Sequence, residues 1–225
     1  MHCTKCVNNT PDRQRWNQRH VASIARRAKG GGPATVLRDI GALLADQPGG
    51  LALDVGCGLG RNTLHLAELG FAVDAVDVSD VALDEVARRA ARCGFAVRTV
   101  CANLRGGELP GSGYQVIVDT FFLERSLLPR MVEALAPGGL LLFETFMAFE
   151  GTVGPPEDPY VLARGELHAA FADLELVSYS ETEASADAYP IARFVARRGP
   201  GEMSDSARSV GPRGRGITHL HSRST

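Results

Sequence analysis

Between Leu51 and Asn62 the chain reads LALDVGCGLGRN, a short apolar run holding Asp54 and then glycines at 56, 58 and 60. A strand, a glycine turn and a helix in that order make a ligand platform. Glycines let backbone come close to a bound group, and a helix start offers unpaired N–H groups. The dinucleotide fingerprint spaces its glycines Gly-x-Gly-x-x-Gly, the third allowing the helix to pack tightly on the strand. Gly56 and Gly58 fit, but Arg61 stands where the third glycine belongs, and the glycine comes one residue early at Gly60. Asp54, two residues before the first glycine, would repel a pyrophosphate.

The same carboxylate would attract a cation. In a partly dehydrated cleft it favours a ligand carrying an ammonium and a sulfonium, and S-adenosylmethionine carries both. Asp77 ends a second apolar run, AVDAVD, where an acid can accept from both hydroxyls of a ribose. NAD and S-adenosylmethionine share that diol, and a helix cap near Asp80 is the plain structural use of the same residue. Asp74, in the same run, is given no ligand. Asn103, in CANL, can take the exocyclic amino proton of an adenine or close a simple turn.

The elements that must hold these residues are legible from periodicity. Apolar runs at 51–55, 72–77, 96–101, 114–119 and 139–146 read as strands, alternating with helical stretches at 61–69, 80–92 and 125–136, the last stopped by PGG. A basic helix is expected over 13–28, broken by GGGP, and a second over 34–45. Past a Gly- and Pro-rich stretch at 147–161, read as a lid, a short helix is expected near 164–171. LELVSYS and PIARFVARR then read as a closing antiparallel pair. This is the pattern of a parallel sheet covered on both faces by helices, seven strands in all.

The 225 residues suit one domain, with 1–12 read as a frayed tail, 13–198 as the folded body and 199–225 as a disordered Gly/Ser/Arg/Pro tail. The net charge of −2 gives no general pull toward nucleic acid or a membrane surface. Five cysteines without regular spacing, no signal-like apolar core and no long apolar run lead to the expectation of a cytoplasmic protein. The opening MHCTKC places a Cys-x-x-Cys beside His2, but a structural zinc site needs four ligands and no second pair follows, so no metal is expected.

Taken together, LDVGCGLGRN, the acid of AVDVS, CANL, the segment YQVIVDTFFLERSLLPRMVEALAPGGLLLFETF and the loop GPPEDPYVLARGELHAAF resemble the class I S-adenosylmethionine-dependent methyltransferases, and most nearly their tellurite-resistance-type branch. The resemblance runs from Trp16 to Arg197. It implies a Rossmann-like, doubly wound α/β sheet of seven strands, mainly parallel, with an antiparallel last strand. It implies S-adenosyl-L-methionine as cofactor, held by Trp16, Asp54, Gly56, Cys57, Gly58, Gly60, Asn62, Asp77, Val78, Asn103, Leu104 and Asp119. The branch's W-x-x-R-Y segment has its counterpart in WNQRH, where Trp16 and Arg19 match and His20 replaces the tyrosine. Asn103 stands where an aspartate is usual, and Cys57 where alanine is more often found.

The implied reaction is in-line methyl transfer to a small-molecule acceptor, which calls for alignment and exclusion of water rather than a dedicated base. No catalytic base is assigned. The acceptor is expected beyond the carboxyl ends of the strands, near Asp119, Thr120, Phe121 and Phe122, with Arg125 behind and Arg19 and His20 above. Arg19, Phe121 and Arg125 are the candidate substrate contacts. DTFF lacks the prolines of the Asp-Pro-Pro-Tyr type that methylates base amino groups, which argues against a nucleic-acid substrate. Two alternatives stay open: a cofactor-binding regulatory domain without transfer, and a dinucleotide-dependent oxidoreductase. The sequence names neither the acceptor nor an oligomeric state.

Overall fold

The computed structural model describes residues 10–26, 31–47, 49–106, 108–148, 161–184 and 189–200. The Cys-x-x-Cys, nearly all of the lid stretch and the tail from 201 lie outside these residues.

Strands β1 (Gly50–Val55), β2 (Phe71–Asp77), β3 (Val97–Cys101), β4 (Tyr114–Thr120), β5 (Leu135–Phe146), β6 (Glu175–Glu181) and β7 (Ile191–Arg197) form one sheet in the order β3-β2-β1-β4-β5-β7-β6. The first five pair in parallel, and β7 runs against both of its neighbours. The expected closing pair is therefore present. Strands buried on both faces need apolar residues at successive positions. Here Ala52, Val116, Val118, Leu140 and Leu142 enter one core, while Leu53, Ile117, Leu141 and Phe143 enter the other.

The helices fill both faces. They are α1 (Pro11–Ala25), α2 (Thr35–Asp39), α3 (Gly41–Ala45), α4 (Arg61–Glu68), α5 (Asp80–Cys93), α6 (Leu128–Ala134) and α7 (Glu166–Ala170). In α5, Ser79 caps the start by accepting from the Ala82 amide at 3.1 Å, and Gly94 ends it in the left-handed region. Its buried Ala82, Leu83, Val86 and Ala90 form one apolar stripe.

Three boundaries differ from the sequence reading. Helix α1 begins at Pro11 rather than 13, because Thr10 accepts from the Arg13 amide and proline suits the first helical turn. Pro11 and Asp12, read as part of the tail, belong to that helix. The helix expected over 34–45 is two, divided at Ile40, whose φ of −111° leaves the helical range beside Gly41. The PGG at 137–139 does not follow a long helix. Helix α6 ends at Ala134, and the chain enters β5 at once: Leu135 pairs with Tyr114, and a bulge carries 136–139 before Leu140 pairs with Val116.

Strand order reverses between β1 and β4, which separates the connections running to either side. The crevice at the carboxyl ends of these two strands is where open α/β sheets take ligands.

Candidate active site

At the carboxyl end of the sheet, Asp54 on β1 and Asp119 on β4 lie in neighbouring strands, with Val55 opposite Asp119. Both are completely buried. Asp54 Oδ2 accepts from the Thr63 hydroxyl at 2.5 Å, but its Oδ1 and both oxygens of Asp119 have no hydrogen-bond partner. Burial pushes the Asp54 carboxyl up to about 7, with the Thr63 hydroxyl opposing that rise. Asp119 is raised well above the usual range, again chiefly by burial, with the Asp54 charge adding to it; the nearby Phe122 amide lowers it without reaching hydrogen-bond geometry. Two unsatisfied buried acids at neighbouring strand tips, on opposite faces of the sheet, are costly, and each calls for a cation or a donor.

Beyond the glycine turn lies an open cavity of about 90 Å³, whose lining includes neither acid. Gly56 and Gly58 form its floor, Asp77, Val78, Ala102, Asn103, Leu104 and Arg105 one wall, and Phe121 and Phe122 the other, with Asp12, Trp16 and His20 of α1 above. Gly56, at φ 62°, lies so close under Phe122 that a side chain there would meet Phe122 Cβ at 2.8 Å. Asp77 holds the floor in place: its Oδ2 accepts from the Gly58 amide and its Oδ1 from the Ser79 amide, both at 2.8 Å. Capping of α5 falls to Ser79, so Asp77 remains on the cavity wall. Asn103 lines the same wall while its Oδ1 accepts from the Arg105 amide at 3.1 Å.

Of the other candidates, Cys57 and Gly60 lie behind the floor. Burial and the two nearby acids push the Cys57 thiol well up, so it is neither a thiolate nor a nucleophile. Asn62 is a correction. It is buried, its Oδ1 accepts from the Ala34 amide and its Nδ2 donates to Thr120 Oγ1, both at 2.9 Å, bracing the chain before α2 against the tip of β4 and off the cavity lining. Arg125 is a second correction. It pairs with Glu166 through two bonds of 2.6 and 3.0 Å and donates to the Val161 carbonyl at 2.9 Å, fastening α7 rather than lining the cavity. Arg19 is also absent from the cavity lining, its guanidinium carbon 5.0 Å from the centre of the Trp16 ring.

Helix α1 contributes more than its Trp16. His20 stacks on Trp16 at 5.8 Å, lies against Gly58, and keeps a buried Nε2 without a partner. Burial lowers its pKa against the opposing pull of Asp77, which holds the ring neutral near pH 7. Asp12 lines the rim and pairs with Arg105 at 3.2 Å across it. The sequence signal for Asp12 was the Thr-Pro-Asp start of α1, which marks a helix beginning ahead of Trp16.

The helix is docked through Asp80. Arg13 donates to both Asp80 oxygens at 3.2 and 2.6 Å, Asn17 donates to one at 2.8 Å, and the Ser79 hydroxyl donates to Asn17 Oδ1 at 2.7 Å. The Arg13 guanidinium holds the Asp80 carboxyl below its usual range, so this docking persists at neutral pH and weakens only as pH falls through that lowered value. Asp80→Asn should weaken binding of S-adenosylhomocysteine by roughly tenfold while lowering Tm by less than about 3 °C, since the pair is partly exposed. Calorimetry and a melting curve on the same preparation check both.

Residues 52–139 match the model of a methyltransferase domain. The probable S-adenosyl-L-methionine-dependent methyltransferase TehB of Haemophilus influenzae is 26% identical over 136 residues, covering 57% of this chain and 47% of that protein. The chain thus spans about half the length of the curated relatives it matches. The crystal structure of TehB from Haemophilus influenzae superimposes with a TM-score of 0.62 at 22% identity, over 72% of this chain and 61% of that one. Magnesium protoporphyrin IX methyltransferase from Synechocystis, with bound S-adenosylhomocysteine, gives 0.64 at 18% identity, over 84% and 98%. The strand order, the acid before the glycine turn and the matched segment make the chain similar to the S-adenosylmethionine-dependent methyltransferases, whose fold it shares.

Proposed function

We propose that this protein binds S-adenosylmethionine in the cavity beneath α1 and transfers its methyl group to a small molecule. The observation that carries this reading is the pair of buried acids, Asp54 and Asp119, with three unpartnered oxygens behind a glycine floor. Such a site repels a pyrophosphate and suits a ligand with a cationic amino-acid end, which argues against the dinucleotide alternative.

The residues present fit that cofactor along its length. Asp77 keeps lone pairs on the cavity side for a ribose diol, Asn103, Val78 and Leu104 flank the place for an adenine, and Asp54 and Asp119 face the ammonium. When bound, the cofactor supplies an activated methyl group on a positively charged sulfur. Phe121 and Phe122 border the reacting end and keep water from it, and Trp16 and His20 close the opposite side.

Titration with S-adenosylmethionine, S-adenosylhomocysteine and NADH tests the binding half. Binding of the first two and none of the third is expected; binding of NADH alone would overturn the proposal. Transfer of a labelled methyl to an acceptor panel tests the catalytic half and separates an enzyme from a regulatory cofactor-binding domain.

A further inference from the structure

Phe121 has a backbone φ of 59°, the only positive value among the described non-glycine residues. A bulky side chain in that region costs about 1 kcal/mol or more and persists where surrounding structure demands it. The surroundings are visible: β4 ends at Thr120, and the Phe121 amide donates to the Glu144 carbonyl of β5 at 2.8 Å, holding Phe121 against that strand as the chain leaves the sheet. The result is a ring that is 37% exposed and borders the cofactor cavity. An apolar side chain aimed outward from a strained position at the reacting end of a site suggests a ligand contact.

The ring is not isolated. Phe146, at the end of β5, lies 4.7 Å from it, and Tyr189, just before β7, lies 5.7 Å from Phe146. Both are exposed, Phe146 at 39% and Tyr189 at 59%. Three adjoining aromatic faces thus run outward from the cavity mouth, a contiguous apolar surface of the kind that marks a binding site. Arg61, the first residue of α4, places its guanidinium 5.7 Å from the centre of the Phe121 ring. It makes no ion pair among the described residues. A cation over one end of an aromatic row defines a ligand that is flat and apolar along its body and anionic at one edge.

We propose that the methyl acceptor is a planar aromatic compound bearing an anionic group, seated along Phe121, Phe146 and Tyr189 with its anion on Arg61. This rests on the proposed function, because Phe121 is the surface shared by the acceptor row and the cofactor cavity. A small inorganic oxyanion would engage Arg61 and leave the three rings unused. In the reaction the acceptor's ring oxygen or nitrogen forms a bond to the methyl carbon as the carbon–sulfur bond breaks. The bonding pair stays on sulfur, which becomes a neutral thioether, and any proton on the nucleophile passes to solvent.

The test uses the full chain saturated with S-adenosylhomocysteine and titrated with 4-hydroxybenzoate, caffeate and indole-3-acetate, and separately with methyl 4-hydroxybenzoate, selenite and tellurite. At least one aromatic acid should bind. Phe146→Ala and Tyr189→Ala should each weaken it roughly threefold to tenfold, with the S-adenosylhomocysteine Kd unchanged. Arg61→Gln should weaken the acid by about tenfold and the neutral ester little. Tyr189, the most exposed of the three, supplies the test if Phe146→Ala fails to fold. Binding of S-adenosylhomocysteine, with transfer from labelled S-adenosylmethionine in a parallel assay only to selenite or tellurite, would overturn the acceptor class and leave the function standing. So would a loss confined to S-adenosylhomocysteine in Arg61→Gln, which would assign that side chain to the cofactor, or a dimer that Phe146→Ala abolishes. Failure of S-adenosylhomocysteine to bind at all would overturn both readings.

Discussion

Asp54→Asn is expected to weaken binding of S-adenosylmethionine by about 100-fold, close to 3 kcal/mol, because it removes a buried carboxylate facing a cation. The loss should not come from unfolding. Burial raises the Asp54 carboxyl to about 7 in the folded protein, above the value of about 4 for an exposed aspartate. Between those two values the folded chain keeps a proton that the unfolded chain has lost, so this group makes stability fall as pH rises, and its cost is complete above about 7. An amide carries no such cost, and its oxygen can still accept from Thr63. At pH 8 the ligand-free variant should melt no lower than wild type.

The same shift dictates a proton count. A cation beside Asp54 favours its ionised form, so binding below pH 7 should release a proton, about one from Asp54 at pH 6. Affinity should climb from pH 5.5 to 7.5 and then level off. Calorimetry in buffers of different ionisation enthalpy measures the release, which should be smaller in Asp54→Asn, with any remainder from Asp119. Equal release and equal affinity in the two proteins would show that Asp54 does not face the ligand's charge.

The second large effect is on stability. Gly60 has φ 76° at the start of α4, and a Cβ there would sit 2.6 Å from Cγ2 of fully buried Val86. Gly60→Ala combines left-handed strain of about 1–2 kcal/mol with overpacking of similar size. A total near 3 kcal/mol corresponds to a fall in Tm of roughly 6–12 °C for a domain of this size. Val86→Ala removes the clashing methyls at its own cavity cost, so the double variant should lose about 1–2 kcal/mol less than the two single losses combined. Strict additivity would place all of the Gly60 penalty in backbone strain. Here the dinucleotide comparison gains a physical basis: this turn seats its third glycine against α5, where the neighbouring helix leaves no room.

The strands and the acids at their tips were readable because their signals are local. An apolar run ending in Asp54 or Asp77 states both the element and the end at which the acid emerges, and Ser79 before Asp80 marks the helix that follows. The partners of Asn62 and Arg125 could not be read, because they come from distant parts of the chain. Ala34 lies 28 residues from Asn62 and Thr120 lies 58 away, and Glu166 lies 41 residues from Arg125. No spacing rule shows that an amide or a guanidinium is already engaged. The three aromatic rings were hidden for the same reason, since 121, 146 and 189 meet only when β4, β5 and β7 align. The start of α1 was different. Thr10 and Pro11 carry a local cap signal, which lost to the polar composition around them.

The docking of α1 has a kinetic meaning. Trp16 and His20 roof the cavity, and the helix that carries them is fastened through Asp80 by Arg13 and Asn17. On the proposed function, a spent cofactor of nearly the same shape as the fresh one leaves past that roof in every cycle. The strength of one surface carboxylate cluster then sets residence time, and loosening it trades affinity for exchange. Under saturating conditions Asp80→Asn would turn over faster than wild type wherever exchange, not methyl transfer, is the slow step.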